Sequence, residues 1–289
     1  MKEIVKEKIA SLLSGDEEIQ SVEQLGGMTN QNYLVKTSSN QYIVKFFGKG
    51  TDKLIDRQNE KYNLELLKDL KLDVENYLFD IEAGIKVNQY IENAETLDST
   101  TIKNKFDKIA PILQTIHASG KELRGEFAPF EEIKKYESLI QGEISYPNYE
   151  AIRKSVFSLK EELEQIGVDK KSCHIDLVPE NFIEGPDGHL YLIDWEYSSM
   201  NDPMWDLAAL FLESEFTISE EEDFLSHYES DKTPVSREKI RIYKILQDII
   251  WSLWTIYKEE NGADFGDYGI SRYNRAVKEL DSMGGSNEN

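Results

Sequence analysis

Cysteine is scarce in this chain of 289 residues and basic residues are few relative to acidic ones, and each shortage excludes a class of protein. With a single cysteine, Cys173, no disulfide can form within the chain, and a thiolate-rich zinc site is not expected. The 33 basic residues are outnumbered by 55 acidic ones, which gives a formal net charge of −22. A surface of that sign does not suit the nucleic-acid backbone, so we expect no nucleic-acid partner. It suits a small cationic ligand, or it serves solubility alone.

Long apolar runs are missing as well. No window is long and uncharged enough to span a bilayer, so we expect no membrane partner. The N-terminal stretch MKEIVKEKIASLL has charges at every turn and lacks the apolar core of a signal peptide, so it predicts an amphipathic helix. These absences favour a cytoplasmic protein. Hydrophobic residues still make up 39% of the chain, which is typical of a folded protein rather than of a disordered acidic one.

The spacing of apolar residues divides the chain into a strand-rich beginning and a helical remainder. After a helix over residues 2–13, short alternating segments predict about five antiparallel strands, with one helix inserted over residues 52–70. Helical spacing then dominates, interrupted by one hairpin. We predict an α+β fold with two lobes: a small antiparallel β lobe with one helix, residues 1–91, and a larger, mainly α-helical lobe, residues 92–289.

The stretch SCHIDLVPENFIEGPDGHLYLIDWEY, residues 172–197, places many polar groups between apolar residues, which requires partners for those groups. Cys173 and His174 are adjacent, so their side chains point in different directions and do not easily share a metal. The four histidines form no His-x3-His pair, which argues against zinc. No G-x-S-x-G stretch is present either, which argues against a serine hydrolase.

Oxygen ligands account for this stretch better. Asn181 and Asp194 lie on the two strands of one predicted hairpin, so their side chains can converge, and an amide with a carboxylate suits Mg²⁺. Asp176 precedes Asn181 in a loop, where its carboxylate can orient or deprotonate an attacking hydroxyl. Asp, Asn and Asp in this order match the arrangement that kinases use for phosphoryl transfer.

The motif HIDLVPENF followed by LIDWE resembles the signature of the choline/ethanolamine kinase and aminoglycoside phosphotransferase group, small-molecule kinases with a protein-kinase-like fold. The resemblance implies Asp176 as the catalytic residue, Asn181 and Asp194 as magnesium ligands, and His174 as a structural residue. It also implies ATP as co-substrate, bound by the first lobe. The resemblance covers nearly the whole chain and is nearest to the bacterial Lic-type choline kinases.

A kinase of this kind needs a lysine on its third strand and a glutamate on the following helix. Lys45 in YIVKFF and Glu60 in DRQNEKYNLELL occupy these positions. Glu60 shares an apolar helix face with Leu64 and Leu67, where a carboxylate requires a cation. We therefore expect Glu60 to pair with Lys45 and to orient it towards the α- and β-phosphates of ATP.

The predicted phosphate-binding segment, LGGMTNQNYLV, departs from the G-x-G-x-x-G of protein kinases but is similar to that of the choline kinases. Gly27 permits close approach of the backbone to phosphate, and Thr29 and Asn30 can donate hydrogen bonds to it. The backbone of Gln89 and Ile91 is expected beside adenine. This expectation rests only on the position of the two residues at the junction of the two lobes.

The acceptor site is expected next to Asp176 in the helical lobe. Trp251 and Trp254 are spaced i, i+3, and aromatic faces bind a quaternary ammonium by cation–π attraction, although the same spacing is typical of a helix in a core. WSLW followed by an FG and DY stretch is similar to the choline kinase C-terminal region. That resemblance implies a cage around choline formed by Tyr197, Trp251, Trp254 and Tyr268. It also implies Glu196 as a nearby anion.

Asp206, early in the helix of NDPMWDLAALF, is implied by the same resemblance to support the catalytic loop. The family implies an ATP-dependent choline kinase whose phosphocholine decorates cell-surface teichoic acid or lipopolysaccharide. Two alternatives stay open at this point. One is a kinase of the same fold acting on ethanolamine, another amino alcohol or an aminoglycoside. The other is a choline-binding pseudokinase without turnover.

Overall fold

The computed structural model describes most of the chain in five stretches: residues 2–9, 12–13, 17–26, 30–48 and 50–284. The described helices are α1 Lys2–Ile9, α2 Arg57–Leu67, α3 Phe106–His117, α4 Pro129–Leu139, α5 Tyr149–Ile166, α6 Pro203–Glu213, α7 Ile218–Tyr228, α8 Arg237–Glu260 and α9 Tyr268–Gly284. The described strands are β1 Ile19–Gln24, β2 Gln31–Thr37, β3 Gln41–Phe46, β4 Asn76–Asp80, β5 Ile85–Gln89, β6 Glu95–Thr96, β7 Lys171–Cys173, β8 Phe182–Glu184, β9 Leu190–Leu192 and β10 Ser199–Asn201.

The chain forms two compact units, which we call the first and the second unit. The first comprises residues 1–112 and 179–198, and the second comprises residues 113–178 and 199–289. The border between these units does not coincide with the division at residue 91 that the sequence suggests. The division into lobes at residue 91 stays a prediction. The hairpin of β8 and β9 belongs to the first unit because β8 pairs with β6 in a three-stranded sheet.

The first unit is built on the predicted five-stranded antiparallel sheet, in the order β1-β2-β3-β5-β4, which confirms the β-rich beginning of the chain. Alternating residues of its strands, such as Val35, Val44 and Val87, are fully buried, as the period of two requires. The predicted N-terminal helix packs on this core through Val5 and Ile9. The inserted helix is confirmed too, as α2.

Helix α2 begins where a side chain caps it. Asp56 accepts hydrogen bonds from the backbone N–H groups of Gln58 and Asn59, at 2.9 and 3.1 Å, which satisfies two of the free donors at a helix N-terminus. The buried face of α2 starts with two charged residues, Arg57 and Glu60, rather than with apolar ones. Buried charges at this position require partners from the sheet or from the segments beside it.

The second unit is helical, as predicted, and is arranged around the long helix α8, which contacts α4, α5, α6 and α9. Helix α6 starts at Pro203 after the N-cap Asp202, whose side chain accepts from the N–H of Met204 at 3.0 Å. The short strands β7 and β10 pair antiparallel, with Cys173 opposite Ser199. Across the described stretches of both units, no helix combines the length and the apolar character that crossing a bilayer requires.

Gly269 in the first turn of α9 marks a close approach of backbone to neighbouring side chains. A Cβ atom at this position would lie 2.6 Å from the hydroxyl of Tyr146 and 2.9 Å from Cβ of Thr255. We expect Gly269→Ala to destabilise the protein by about 1–3 kcal/mol through overpacking, despite the better helix propensity of alanine. Urea unfolding measures this, with Ser271→Ala on the exposed side of the same helix as the control. An unchanged midpoint for Gly269→Ala would contradict the close packing.

Candidate active site

Two lysines stand side by side on one face of the first unit's sheet. β3 and β5 are antiparallel neighbours, and Lys45 lies directly opposite Lys86 in their register. Both side chains are buried, so each ammonium requires a carboxylate. Lys45 donates to Oδ1 of Asp194 at 2.6 Å, and Lys86 donates to Oε1 of Glu60 at 2.5 Å. Each lysine therefore forms an ion pair with a different carboxylate.

The predicted pairing of Lys45 with Glu60 is wrong in this arrangement. The register of the sheet brings a second lysine, Lys86, to Glu60, and Arg57 donates from one helical turn earlier, through Nη1 to Oε2 at 2.6 Å. Burial alone would raise the pKa of Glu60, but Lys86 and Arg57 outweigh it and lower that pKa. Burial alone would lower the pKa of Lys45, and Asp194 instead raises it.

Sequence reasoning missed both Arg57 and Lys86. The signals were present: Arg57 stands three residues before Glu60, on the same helix face, and Lys86 belongs to a strand predicted to pair in the same sheet. Neither residue stands at a motif position of the kinase resemblance. Only the strand register fixes which lysine meets which carboxylate.

Glu196 lies within the same unit and is already neutralised there. Its Oε2 accepts from Nδ2 of Asn30 at 2.7 Å and from Nη1 of Arg57 at 2.9 Å, and its side chain is 3% exposed. Burial, and then the neighbouring Asp194, raise the pKa of Glu196. Its charge is thus compensated by an arginine that the sequence pattern did not mark, and the role of Glu196 as the anion beside choline stays a prediction.

Asn181 and Asp194 flank the hairpin of β8 and β9. The backbone N–H of Ile193 donates to the carbonyl oxygen of Asn181 at 2.8 Å, which continues the pairing of the two strands up to these residues. Asp194 has a left-handed backbone, with φ of 68°, which is uncommon outside glycine and clusters at functional sites. An amide oxygen and a carboxylate are hard donors of the kind that Mg²⁺ takes, so the donor set fits the predicted ion.

In the second unit, Asp206 holds the loop that carries Asp176. Its two carboxylate oxygens accept hydrogen bonds from the backbone N–H groups of His174 and Ile175, both at 2.8 Å. Ile175 has φ of 78°, a strained conformation for a β-branched residue, and its carbonyl oxygen accepts from Nε1 of Trp205 at 3.0 Å. These bonds fix the residue directly before Asp176. They support the structural roles expected of His174 and Asp206.

His117, Cys173 and Asp206 bring three ligand-type atoms within 4.8 Å of one another. Hydrogen bonds rather than a metal account for this cluster. Nε2 of His117 lies 3.1 Å from Oδ2 of Asp206, and Nδ1 of His117 lies 2.7 Å from the hydroxyl of Tyr228. Burial raises the pKa of Cys173 well above its ordinary value, which keeps the thiol protonated.

The aromatic residues expected around choline are brought together in the second unit. The rings of Trp251 and Trp254 stand edge to face, with centroids 6.4 Å apart, and Phe265 lies between Trp254 and Tyr268 at 5.0 and 6.5 Å. Both tryptophans are largely buried. Tyr197, the fourth expected ring, belongs to the first unit.

Tyr268 is fixed by charged neighbours that the sequence did not single out. Nη1 of Arg272 donates to the hydroxyl of Tyr268 and to Oε1 of Glu213, both at 2.5 Å. Burial is the main cause that raises the pKa of Tyr268 to about 12, and the charge of Asp176 adds to it. Arg272 follows Tyr268 by one helical turn, which is the only sequence signal for the pair.

The remaining predicted nucleotide contacts are only partly described. Gly27 and Thr29 lie outside the described residues. The backbone N–H of Gln89 donates to the carbonyl oxygen of Glu75 at 2.8 Å, so this group is used within the sheet. Ile91 follows the end of β5, where its carbonyl oxygen accepts from Ala94 at 3.3 Å. Contacts of Gln89 and Ile91 with adenine stay a prediction.

Asp73 precedes β4 and adds a further carboxyl to the charged cluster of the first unit. Burial, with a contribution from Asp194, raises the pKa of Asp73 to about 7, although Lys86 opposes the shift. The folded protein therefore binds a proton that the unfolded chain has lost above pH 4, so stability falls as pH rises from about 4 to about 7.

We expect Asp73→Asn to raise the free energy of unfolding at pH 8 and to leave it nearly unchanged at pH 4, because the amide carries no charge to be buried. Denaturant unfolding at several pH values measures this, with Glu65→Gln on the exposed side of α2 as the control. A stability gain that is equal at both pH values would show that the charge of Asp73 is not the cause.

Comparison with known proteins identifies the family of this chain. The family model described as choline/ethanolamine kinase matches residues 22–277. Protein LicA of Haemophilus influenzae is 31% identical over 271 residues, which cover 90% of this chain and 79% of that protein. The crystal structure of choline kinase LicA from Streptococcus pneumoniae superposes with a TM-score of 0.94 at 79% identity, covering 98% of this chain and 99% of that one.

A structure of LicA in complex with AMP superposes with a TM-score of 0.92 at 80% identity, covering 97% of this chain and 98% of that one. The family match thus extends from the β-rich first unit to the last helix of the second, and it includes every predicted site residue. This chain belongs to the choline/ethanolamine kinase family.

Proposed function

We propose that this protein is a choline kinase, which transfers the γ-phosphoryl group of ATP to the hydroxyl of choline. The observation that carries the proposal is the 79% identity to a choline kinase over 98% of the chain. The AMP complex of a relative at 80% identity supports an adenine nucleotide as the co-substrate. The presence of Lys45, Asp176, Asn181 and Asp194 supports turnover rather than binding alone.

Asp176 is the residue we propose to act on the choline hydroxyl. Asp206 holds the backbone of Ile175, directly before Asp176, in a strained conformation, so this part of the loop is ordered before substrate binds. Such preorganisation contributes to rate because the acceptor hydroxyl is aligned without further ordering. The carboxylate accepts the hydroxyl proton as the new bond to phosphorus forms.

Lys45 and the hairpin residues bind the nucleotide in this proposal. The buried ammonium of Lys45 now faces Asp194, and it provides a positive charge to the α- and β-phosphates when ATP binds. Asn181 and Asp194 would hold Mg²⁺, which when bound neutralises charge on the β- and γ-phosphates. Lys86 keeps Glu60 neutralised, so Lys45 is not needed for that purpose.

Choline recognition is proposed for the aromatic group of the second unit. A trimethylammonium donates no hydrogen bond, so ring faces such as those of Trp251, Trp254 and Tyr268 suit it better than carbonyl groups do. Arg272 and Glu213 set the orientation of Tyr268. Tyr197 remains a further candidate for this site.

The product would be phosphocholine, and we propose that it feeds the decoration of cell-surface teichoic acid or lipopolysaccharide with phosphorylcholine. The similarity to LicA proteins supports this role. A cytoplasmic location is part of the same proposal, because ATP is supplied there.

Replacing the catalytic carboxylate tests the mechanism. We expect Asp176→Asn to lower kcat by about 10²–10⁴-fold, the range typical of a lost general base, while the unfolding temperature changes little. An ADP-release assay with ATP, Mg²⁺ and choline measures the rate, with Asp231→Asn on the exposed surface of the second unit as the control. Near-normal turnover of Asp176→Asn would contradict the assignment, and no choline-dependent ADP release by the unaltered protein would contradict the function.

Replacing one ring tests substrate recognition. We expect Trp254→Leu to raise KM for choline about tenfold, because a desolvated cation–π contact contributes ~1–2 kcal/mol, and to affect ethanolamine less. Phe157→Leu, a ring of α5 that packs on Phe130, is the control. The same assay with both amino alcohols gives the comparison. Equal or better use of ethanolamine by the unaltered protein would favour an ethanolamine kinase instead.

A further inference from the structure

Arg57 connects three segments of the first unit. It is the first residue of α2, and its side chain is 7% exposed. Nη1 donates to Glu60 at 2.6 Å and to Glu196 at 2.9 Å, while Nη2 donates to Oδ1 of Asn30 at 3.0 Å. The guanidinium also lies 4.2 Å from the ring centroid of Phe47. The planar guanidinium presents donors to these acceptors from two separate nitrogen atoms in a fixed geometry, whereas the ammonium of a lysine offers its donors from a single atom.

The acceptors of Arg57 also bind each other. Nδ2 of Asn30 donates to Oε2 of Glu196 at 2.7 Å, which closes a ring of three side chains. Oδ1 of Asn30 accepts a second hydrogen bond, from the backbone N–H of Gly48 at 3.2 Å. The side chain of Asn30 is therefore held by Glu196, Arg57 and the backbone of Gly48, and its contact with phosphate stays a prediction.

The two segments that Arg57 joins to α2 are those assigned to the nucleotide. Asn30 ends the Gly-containing segment predicted to contact phosphate, and Glu196 follows Asp194 by two residues. A buried ion network of this kind adds little to stability compared with apolar packing of the same volume. What it does provide is a fixed geometry, because the charged hydrogen bonds are satisfied in only one arrangement.

We propose that Arg57 is a positioning residue for the nucleotide, which holds Asn30, itself a predicted phosphate contact, and which holds the Asp194 segment through Glu196. The proposal rests on ATP being the phosphoryl donor. It assigns no contact between Arg57 and substrate, so its effect is expected on nucleotide binding and on catalysis, with the choline site unaffected.

The first test is Arg57→Lys, which keeps the positive charge but replaces the planar guanidinium by an ammonium. We expect KM for ATP to rise about tenfold, the size that follows from losing a charged hydrogen bond, while KM for choline stays within about twofold. The matched control is Arg153→Lys in the second unit. Like Arg57, Arg153 binds a carboxylate and faces a ring: its Nε and Nη2 donate to Glu137, and its guanidinium lies 4.4 Å from the ring centroid of Phe157.

Titration of the protein with AMP by calorimetry, without choline, gives a readout that does not depend on turnover. Arg57→Lys is expected to raise the dissociation constant for AMP. Arg153→Lys is expected to leave that constant unchanged. If Arg57→Lys alters both KM values equally, or behaves as the Arg153 control does while remaining folded, the residue is structural only and the proposal is wrong.

Glu196→Gln is the second variant and covers the case in which Arg57→Lys does not fold. The amide keeps the volume and the acceptor but loses the charge, so KM for ATP is expected to rise in the same direction by a smaller factor. An unchanged KM for ATP in a folded Glu196→Gln protein would also overturn the proposal. Absence of choline-dependent ADP release by the unaltered protein would instead overturn the proposed function, which keeps the two failures distinguishable.

Discussion

The opposition of Lys45 and Lys86 across β3 and β5 is the constraint on which the charge arrangement of the first unit depends. Opposite residues of an antiparallel pair have Cα atoms ~5 Å apart, and two buried like charges at that distance are unfavourable without anions. α2 supplies Glu60 and the segment after β9 supplies Asp194, so each lysine obtains one carboxylate. The sheet register therefore determines where α2 and the hairpin must place their acidic residues.

Arg57 extends this arrangement from the sheet to the neighbouring segments. It shares Glu60 with Lys86 and continues to Glu196 and Asn30, so the buried cations and carboxylates form one connected set. Such networks are unfavourable when any member is left unsatisfied, because a buried charge without a partner is costly. The charged side chains of this cluster are consequently all paired in a single arrangement. In that arrangement Lys45 forms its ion pair with Asp194.

The second unit fixes the loop of Asp176, the proposed catalytic residue, by a different means. There a buried carboxylate, Asp206, accepts two backbone N–H groups and holds Ile175 in a strained conformation. His117 and Tyr228 continue the hydrogen bonds away from the loop. Strain of this kind persists only where the surroundings determine it fully, which is typical of catalytic loops.

Much of the fold was predictable from the sequence because its long elements carry clear periods. The five strands and the inserted helix of the first unit follow from the spacing of apolar residues, whereas β6, β7 and β10 contain only two or three residues and show no period. Motif spacing identified Lys45, Asp176, Asn181 and Asp194. It did not identify Arg57, Lys86 or Arg272, since each matters through a contact with a distant or neighbouring charge rather than through a motif position.

The sequence by itself determined the α+β class, the order of the elements and the chemical type of the candidate site residues, since these depend on local spacing and on side-chain identity. Only the tertiary structure decided which charges pair. Glu60 pairs with Lys86 and Arg57, and Asp194 pairs with Lys45. Glu196 is buried and hydrogen-bonded to Arg57 and Asn30. The reason is physical: the partner of a buried charge is set by strand register and by the direction of a helix face, and neither is expressed in the spacing of residues along the chain.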